Sequence, residues 1–155
     1  MNEKKDFLTS EHLYQLKEAS GILPAVINER GYQSIIKNQA GQYGFSPNQC
    51  RDGLLIPIWS PDGKNCLNVL RPDKPRINHK GKELKYEIPK KASIRIDVPP
   101  RCIPILPNPQ ISLWITEGQK KADAMASHGL CAIDLNGVWG SKGKNESGGT
   151  TWLAD

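Results

Sequence analysis

An α/β fold with an α+β N-terminal part is predicted by three observations on this 155-residue sequence. The first is an apolar run, Ile111 to Thr116, that passes through Glu117-Gly118 into a helically spaced segment ending at His128-Gly129 and then into a second apolar run, Leu130 to Leu135. Strand, helix and strand in that order form a βαβ unit. Its crossover is right-handed in nearly all cases, so the two strands run parallel. The second observation is a pair of strand patterns, Leu54 to Trp59 and Cys66 to Leu70, joined by Ser60-Pro61-Asp62-Gly63. Proline at the second turn position and glycine at the fourth read as a β-hairpin. The third is a cluster of helix start and stop signals confined to the first fifty residues.

Taken in order, Thr9-Ser10 caps a helix with Leu13, Leu16 and Ala19 on one side and Gly21 as its stop. Pro24 opens a second short helix ending near Gly31, and Ser34 caps a third over residues 35–40. This cluster is not read as a helix-turn-helix, because residues 24–31 offer only Asn28, Glu29 and Arg30 as polar contacts and are nearly neutral. Residues 1–50 are therefore a small helical cap on a sheet. Residues 51–98 form a β-rich module built on the hairpin. Residues 99–110, with Pro99, Pro100, Pro104, Pro107 and Pro109, read as an extended linker. Residues 111–155 hold the βαβ unit, followed by a flexible glycine-rich loop over 140–150.

Composition narrows the function. A chain with 12 Pro, 14 Gly and 37% apolar residues is loop-rich for its size, and modest stability is expected. No apolar stretch approaches the ~18 residues that span a bilayer, and Met1 to Asp6 lacks the apolar core of a signal peptide, so a cytoplasmic location is expected. Cys50, Cys66, Cys102 and Cys131 form no Cys-x-x-Cys pair and have no histidine at ligand spacing, which argues against zinc. They are expected to be free thiols, with Cys66 and Cys131 packed in strands. The Gly-Lys pairs at 63, 81 and 143 lack the rest of a P-loop.

Charge is uneven. Residues 71–101 carry ten Lys or Arg against four acids, a local balance of +6, while the remainder sums to −1. Such a block, with Tyr86 interleaved, can neutralise backbone phosphates and stack a base. It can also be a solvated basic loop. The prolines of Arg71-Pro72-Asp73-Lys74-Pro75-Arg76 favour the first reading, since fixed φ values hold the two arginines in a defined presentation.

Glu117-Gly118 is the chemical focus. In open α/β sheets ligands collect beyond the carboxyl ends of the strands, where the next helix offers unpaired N–H groups to anions. Either Glu117 takes part in phosphate chemistry there, or it only complements the helix dipole, an effect of about 0.3–1 kcal/mol.

Residues 113–124, Leu-Trp-Ile-Thr-Glu-Gly-Gln-Lys-Lys-Ala-Asp-Ala, with Leu135-Asn136-Gly137-Val138-Trp139, resemble the first motif of the Toprim domain shared by bacterial primases, topoisomerases and related nucleases. The closer resemblance is to an uncharacterised Toprim-like family of plasmid, phage and integrative-element proteins, often linked to primase or helicase modules. Gly53 to Ile58, Leu70 to Arg76 and Lys85 to Pro89 agree in order and spacing. Arg71, Arg76, Lys85 and Tyr86 also resemble, more loosely, the basic region that lines the template groove of bacterial primases. The resemblance implies Glu117 as general base or metal ligand, Gly118, Lys120 and Lys121 as phosphate-binding, and Arg71, Arg76, Lys85 and Tyr86 as contacts to single-stranded DNA or RNA. It implies Mg2+-dependent phosphoryl or nucleotidyl transfer in a full-length mobile-element replication protein, with a helicase or the rest of that protein as partner.

One departure matters. The resembling enzymes hold their metal with Glu together with an Asp-x-Asp pair on a later strand, and no such pair precedes Asp155. Glu117 alone is a weak Mg2+ ligand. Asp123 and Asp134 form no Asp-x-Asp. The sequence therefore reads as an incomplete, truncated Toprim-like unit, expected to be inactive alone. A noncatalytic single-strand-binding or partner-docking module is the competing reading.

Overall fold

The computed structural model describes residues 8–90, 92–93, 95–135, 142–144 and 147–152. It opens with α1 (Ser10–Lys17), whose N-cap Thr9 accepts a hydrogen bond from the His12 N–H at 3.2 Å. The buried face is His12 and Leu16, one helical turn apart, whereas Leu13 and Ala19 are exposed. This corrects the expected Leu13–Leu16–Ala19 stripe, and the cause is polar. The His12 ring is drawn inward between Ser34 Oγ (2.7 Å) and Asp73 Oδ1 (2.8 Å). Then α2 (Pro24–Arg30) begins on its proline and stops at Gly31, whose φ of +79° suits glycine.

The expected third helix is present but starts at Lys37 and not at Ile35, with Ile36 and not Ser34 at its N-cap. Residues Gln33–Ile35 form β1, a strand, because Ser34 and Ile35 pair with Leu54 and Gly53. The helix, α3 (Lys37–Ala40), runs into a 3-10 turn at Gly41–Tyr43.

The hairpin is as predicted: β2 (Gly53–Trp59) and β3 (Asn65–Pro72) are antiparallel, with Gly63 N–H closing the turn on Ser60 O at 2.9 Å. Strand β2 is buried along almost its whole length because both faces are covered. Leu54, Ile56 and Ile58 pack with Leu16, Ile22, Val26, Ile27 and Tyr32, while Leu55 faces Ile35, Ala40, Phe45 and Leu70. Cys66 lies in β3 but is exposed, contrary to expectation, because it sits with Asn65 at the exposed, turn-proximal end of the strand.

Next, β4 (Arg76–Ile77) and β5 (Glu83–Leu84) make a short ribbon, turned by Asn78 Oδ1, which accepts from the Lys80 and Lys82 N–H groups. The chain returns to β3 where Glu87 bridges Leu70. Residues Pro100–Ile105, within the stretch expected to be an extended linker, instead wind into a 3-10 helix. Proline at its start is compatible with helical φ, and Cys102 is buried against Val98, Ala126, Cys131 and Ile133. Arg101 also forks onto Glu29 at 2.8 Å.

The βαβ unit follows as predicted. Strand β6 (Leu113–Thr116), helix α4 (Gln119–Ser127) and strand β7 (Cys131–Asp134) place the two strands parallel, Leu113 opposite Cys131 and Thr116 opposite Asp134. β7 is fully buried, flanked by β6 on one edge and bridged by Asp97 on the other. β6 is not buried: Leu113 and Trp114 are 48% exposed and Ile115 62%. Among the described residues its outer edge pairs with no strand. Residues 136–140, which carry the expected Asn136-Gly137 turn and the Val138-Trp139 match, lie outside the described residues. Within the expected glycine-rich loop, β8 (Lys142–Lys144) pairs antiparallel with β9 (Thr150–Trp152), so part of it is a ribbon.

A buried ionic cluster locks these parts together. Arg30, fully buried, donates through Nε and Nη2 to Asp123 of α4, with Nη2–Oδ1 at 2.7 Å, and through Nη1 to Asp97 (2.5 Å) and Pro57 O (3.1 Å). Tyr32 donates its hydroxyl to Asp123 at 2.6 Å. Helix α2, the hairpin, the 97 segment and α4 thus meet at one guanidinium.

Candidate functional site

The loop Glu117-Gly118 connects β6 to α4 at the carboxyl end of the parallel pair. Opening beside it is a cleft of about 640 Å³ between the end of α1, β3, residues 86–88 and the first turns of α4. Val69, Ile88 and Ala124 give it an apolar lining. Tyr86, Glu117, Gly118, Gln119, Lys120 and Lys121 supply its polar and aromatic groups. The shape follows from the topology. Tyr86 and Ile88 flank Glu87, which pairs with Leu70 on β3, and Val69 precedes Leu70 in that strand.

Glu117 is half-exposed and forms an ion pair with Lys121 one helical turn on. Glu117 precedes the N-cap of α4, and an ion pair this exposed contributes little to stability. Gly118 is the extended N-cap of α4 and offers no side-chain acceptor to it, so the positive helix end favours an anion. Lys120 is half-buried. Burial first, and then the neighbouring charge of Arg71, pull its pKa below the ordinary lysine value. Arg71 therefore sits near the same opening, although it is not part of its lining.

Five predicted residues, Tyr86, Glu117, Gly118, Lys120 and Lys121, thus come together from stretches over thirty residues apart in sequence. Two do not join them. Lys85 is exposed and outside the cleft lining. The guanidinium of Arg76 is forked onto Glu87, Nε–Oε1 at 2.5 Å and Nη2–Oε2 at 3.1 Å. Val69, Ile88, Gln119 and Ala124 were not singled out from sequence. Their apolar or amide side chains carry no signal without the fold. Arg30 was passed over as a neutral-helix residue, and its partner Asp123 signalled only through its place in the Glu-Gly-x-Lys-Lys-Ala-Asp block.

The donor set does not make an Mg2+ site. Among the described residues no three His, Cys, Asp or Glu groups converge. Asp123 is committed to Arg30 and Tyr32, Asp134 is buried, and Glu117 faces Lys121.

Residues 104–152, less than half of the chain, match a family model described as Domain of unknown function (DUF3854). Comparison with curated proteins gives no match. Among solved structures the fold is similar to the Aquifex aeolicus primase (zinc-binding and RNA polymerase domains), with TM-score 0.61 at 16% identity over 81% of this chain and 36% of that one. The E. coli primase catalytic core gives TM-score 0.54 at 16% identity, covering 81% of this chain and 47% of that one. The DnaG primase catalytic domain bound to ssDNA gives 0.53 at 16%, covering 79% and 47%. This chain spans 36–47% of the length of these structures. No helix among the described residues is long and apolar enough to cross a membrane. At these identities the likeness establishes a fold: a mixed α/β arrangement similar to part of a primase catalytic core.

Proposed function

We propose that this chain holds single-stranded nucleic acid in the cleft at the start of α4, as the strand-holding part of a primase-type replication protein. The observation that carries the reading is that Tyr86 and Lys120 line one apolar-floored cleft. An aromatic face for a base and a cation for the adjoining phosphate are the two elements that bind single strands without sequence preference. Tyr86 stacks a base, Lys120 and the nearby Arg71 neutralise phosphate, and Glu117 orders Lys121 and the helix start. That the similar DnaG primase catalytic domain is bound to ssDNA supports this choice of ligand. Mobile-element context, a helicase partner and the reaction of any longer parent belong to the same proposal. Metal-dependent transfer in such a parent needs carboxylates beyond this donor set.

Fluorescence anisotropy of a labelled oligothymidylate across a salt series tests the reading. Affinity is expected to fall with salt, with a slope of log affinity against log salt near −0.7 per phosphate neutralised. Lys120→Ala with Arg71→Ala should flatten the slope by about one to two phosphate equivalents. Tyr86→Ala should cost about 1–3 kcal/mol and leave the slope alone. Lys142→Ala with Lys144→Ala is the charge-matched control. Equal losses from the two double variants would reduce the basic surface to a generic one and defeat the proposal.

A further inference from the structure

Arg76 was expected to be a strand contact, yet its surroundings give it other work. Glu87 is only 3% exposed, and a carboxylate so buried requires a partner. Arg76 provides it in bidentate form, which raises the guanidinium pKa through that hydrogen bond. Gln49 Nε2 adds bonds to Glu87 Oε2 at 3.2 Å and to Ile88 O at 2.6 Å. The backbone of Glu87 is tied to β3 in both directions, Leu70 N–H to Glu87 O at 3.0 Å and Glu87 N–H to Leu70 O at 2.8 Å.

The consequence falls on Tyr86. In extended backbone, successive side chains point to opposite faces. Seating the Glu87 carboxylate inward turns its neighbour Tyr86 outward, to the rim of the cleft. We propose that Arg76 is a positioning residue: by holding Glu87 it fixes Tyr86 for base stacking, and it does not itself contact phosphate. This rests on the single-strand-binding reading above, and it separates two arginines that the sequence presents as equivalent. Arg71 acts by charge near Lys120, and Arg76 acts through geometry.

Two conservative variants make the distinction, because each keeps the Arg76 site cationic. Arg76→Lys retains the charge and loses the fork. Glu87→Gln retains side-chain shape and relieves Arg76 of its competing carboxylate. Both are expected to speed amide hydrogen exchange at Glu87 and Leu70, with exchange at Ile56 in the core unchanged as the check on folding. Both should weaken oligothymidylate binding by about five-fold or more, the equivalent of about 1 kcal/mol of stacking, at an unchanged salt slope. Neither loss should add to that of Tyr86→Ala.

A phosphate-binding Arg76 predicts the opposite sign. Glu87→Gln would then tighten binding and steepen the slope, and Arg76→Lys would bind nearly as the parent does. Either result overturns the proposal, as does unchanged exchange at Glu87 and Leu70, or faster exchange with unaltered affinity. If the unmodified protein binds no oligonucleotide, the single-strand reading fails by itself. The exchange data then still decide whether Arg76 and Glu87 hold this segment.

Discussion

Lys120 on the first turn of α4 and Arg71 near the end of β3 are cationic neighbours at one opening, and the charge of Arg71 adds to burial in lowering the Lys120 pKa. Two like charges near one another favour an anionic ligand. Lys120 is therefore expected to react with an amine-directed acylating reagent at mildly alkaline pH faster than the fully exposed lysines. Arg71→Ala should slow that reaction by restoring the proton. Mass spectrometry of the labelled peptide reads the rate. Added oligonucleotide should protect Lys120 in the same assay.

The cluster around Arg30 predicts where stability resides. Removing one partner of a buried ion pair leaves an uncompensated charge, typically at a cost of about 3–5 kcal/mol. Arg30→Ala strands both Asp97 and Asp123, so denaturant unfolding should show a loss of that size. Arg30→Lys should recover little, since one ammonium cannot reach two carboxylates and Pro57 O with the geometry of the guanidinium.

A pH dependence follows from the same cluster. One guanidinium cannot neutralise two carboxylates, and burial pushes the Asp97 carboxyl above the ordinary aspartate range even with Arg30 beside it. Its second oxygen, Oδ2, has no hydrogen-bond partner among the described residues. With the folded pKa above the unfolded value of about 3.9, the native state binds the extra proton, so this group's contribution falls as pH rises through that window. The stability of the unmodified protein relative to Asp97→Asn should thus be highest in acid and decline as pH climbs past about 4. Thermal melts across the acid range measure it, and a difference independent of pH would contradict the assignment.

Gly53 tests the hairpin register. A Cβ at that position would lie 2.4 Å from the Arg71 carbonyl oxygen, a backbone atom that cannot swing away. Gly53→Ala is expected to destabilise by at least the ~1–3 kcal/mol typical of overpacking. It should also disturb Arg71, so weaker oligonucleotide binding should accompany the lower unfolding midpoint.

Much of this was legible in the sequence. The hairpin and the βαβ unit declared themselves because turn chemistry and apolar runs are local signals, and Glu117-Gly118 marked the strand-to-helix junction beside the cleft for the same reason. The misreadings were made by partners distant in sequence. Ser34 is a strand residue because Leu54 pairs with it. Residues 100–105 are helical because Cys102 has Val98, Ala126 and Ile133 to pack against. Arg76 resembled a free cation until Glu87, eleven residues on, folded back to it. The run of β6 is apolar, yet the fold leaves Ile115 62% exposed. Periodicity shows which residues can be buried and not what covers them.

The central claim is that the cleft beside the start of α4 receives single-stranded nucleic acid. Titrating isotope-labelled protein with a short oligothymidylate, while following backbone amide and Tyr86 ring resonances by NMR, tests it most directly. Shifts are predicted to concentrate at Val69, Tyr86, Ile88 and residues 118–121, saturating together, with the 142–144 strand little affected. Shifts spread evenly over the exposed lysines, or centred on β8 and β9 with Tyr86 and Lys120 unmoved, would contradict it.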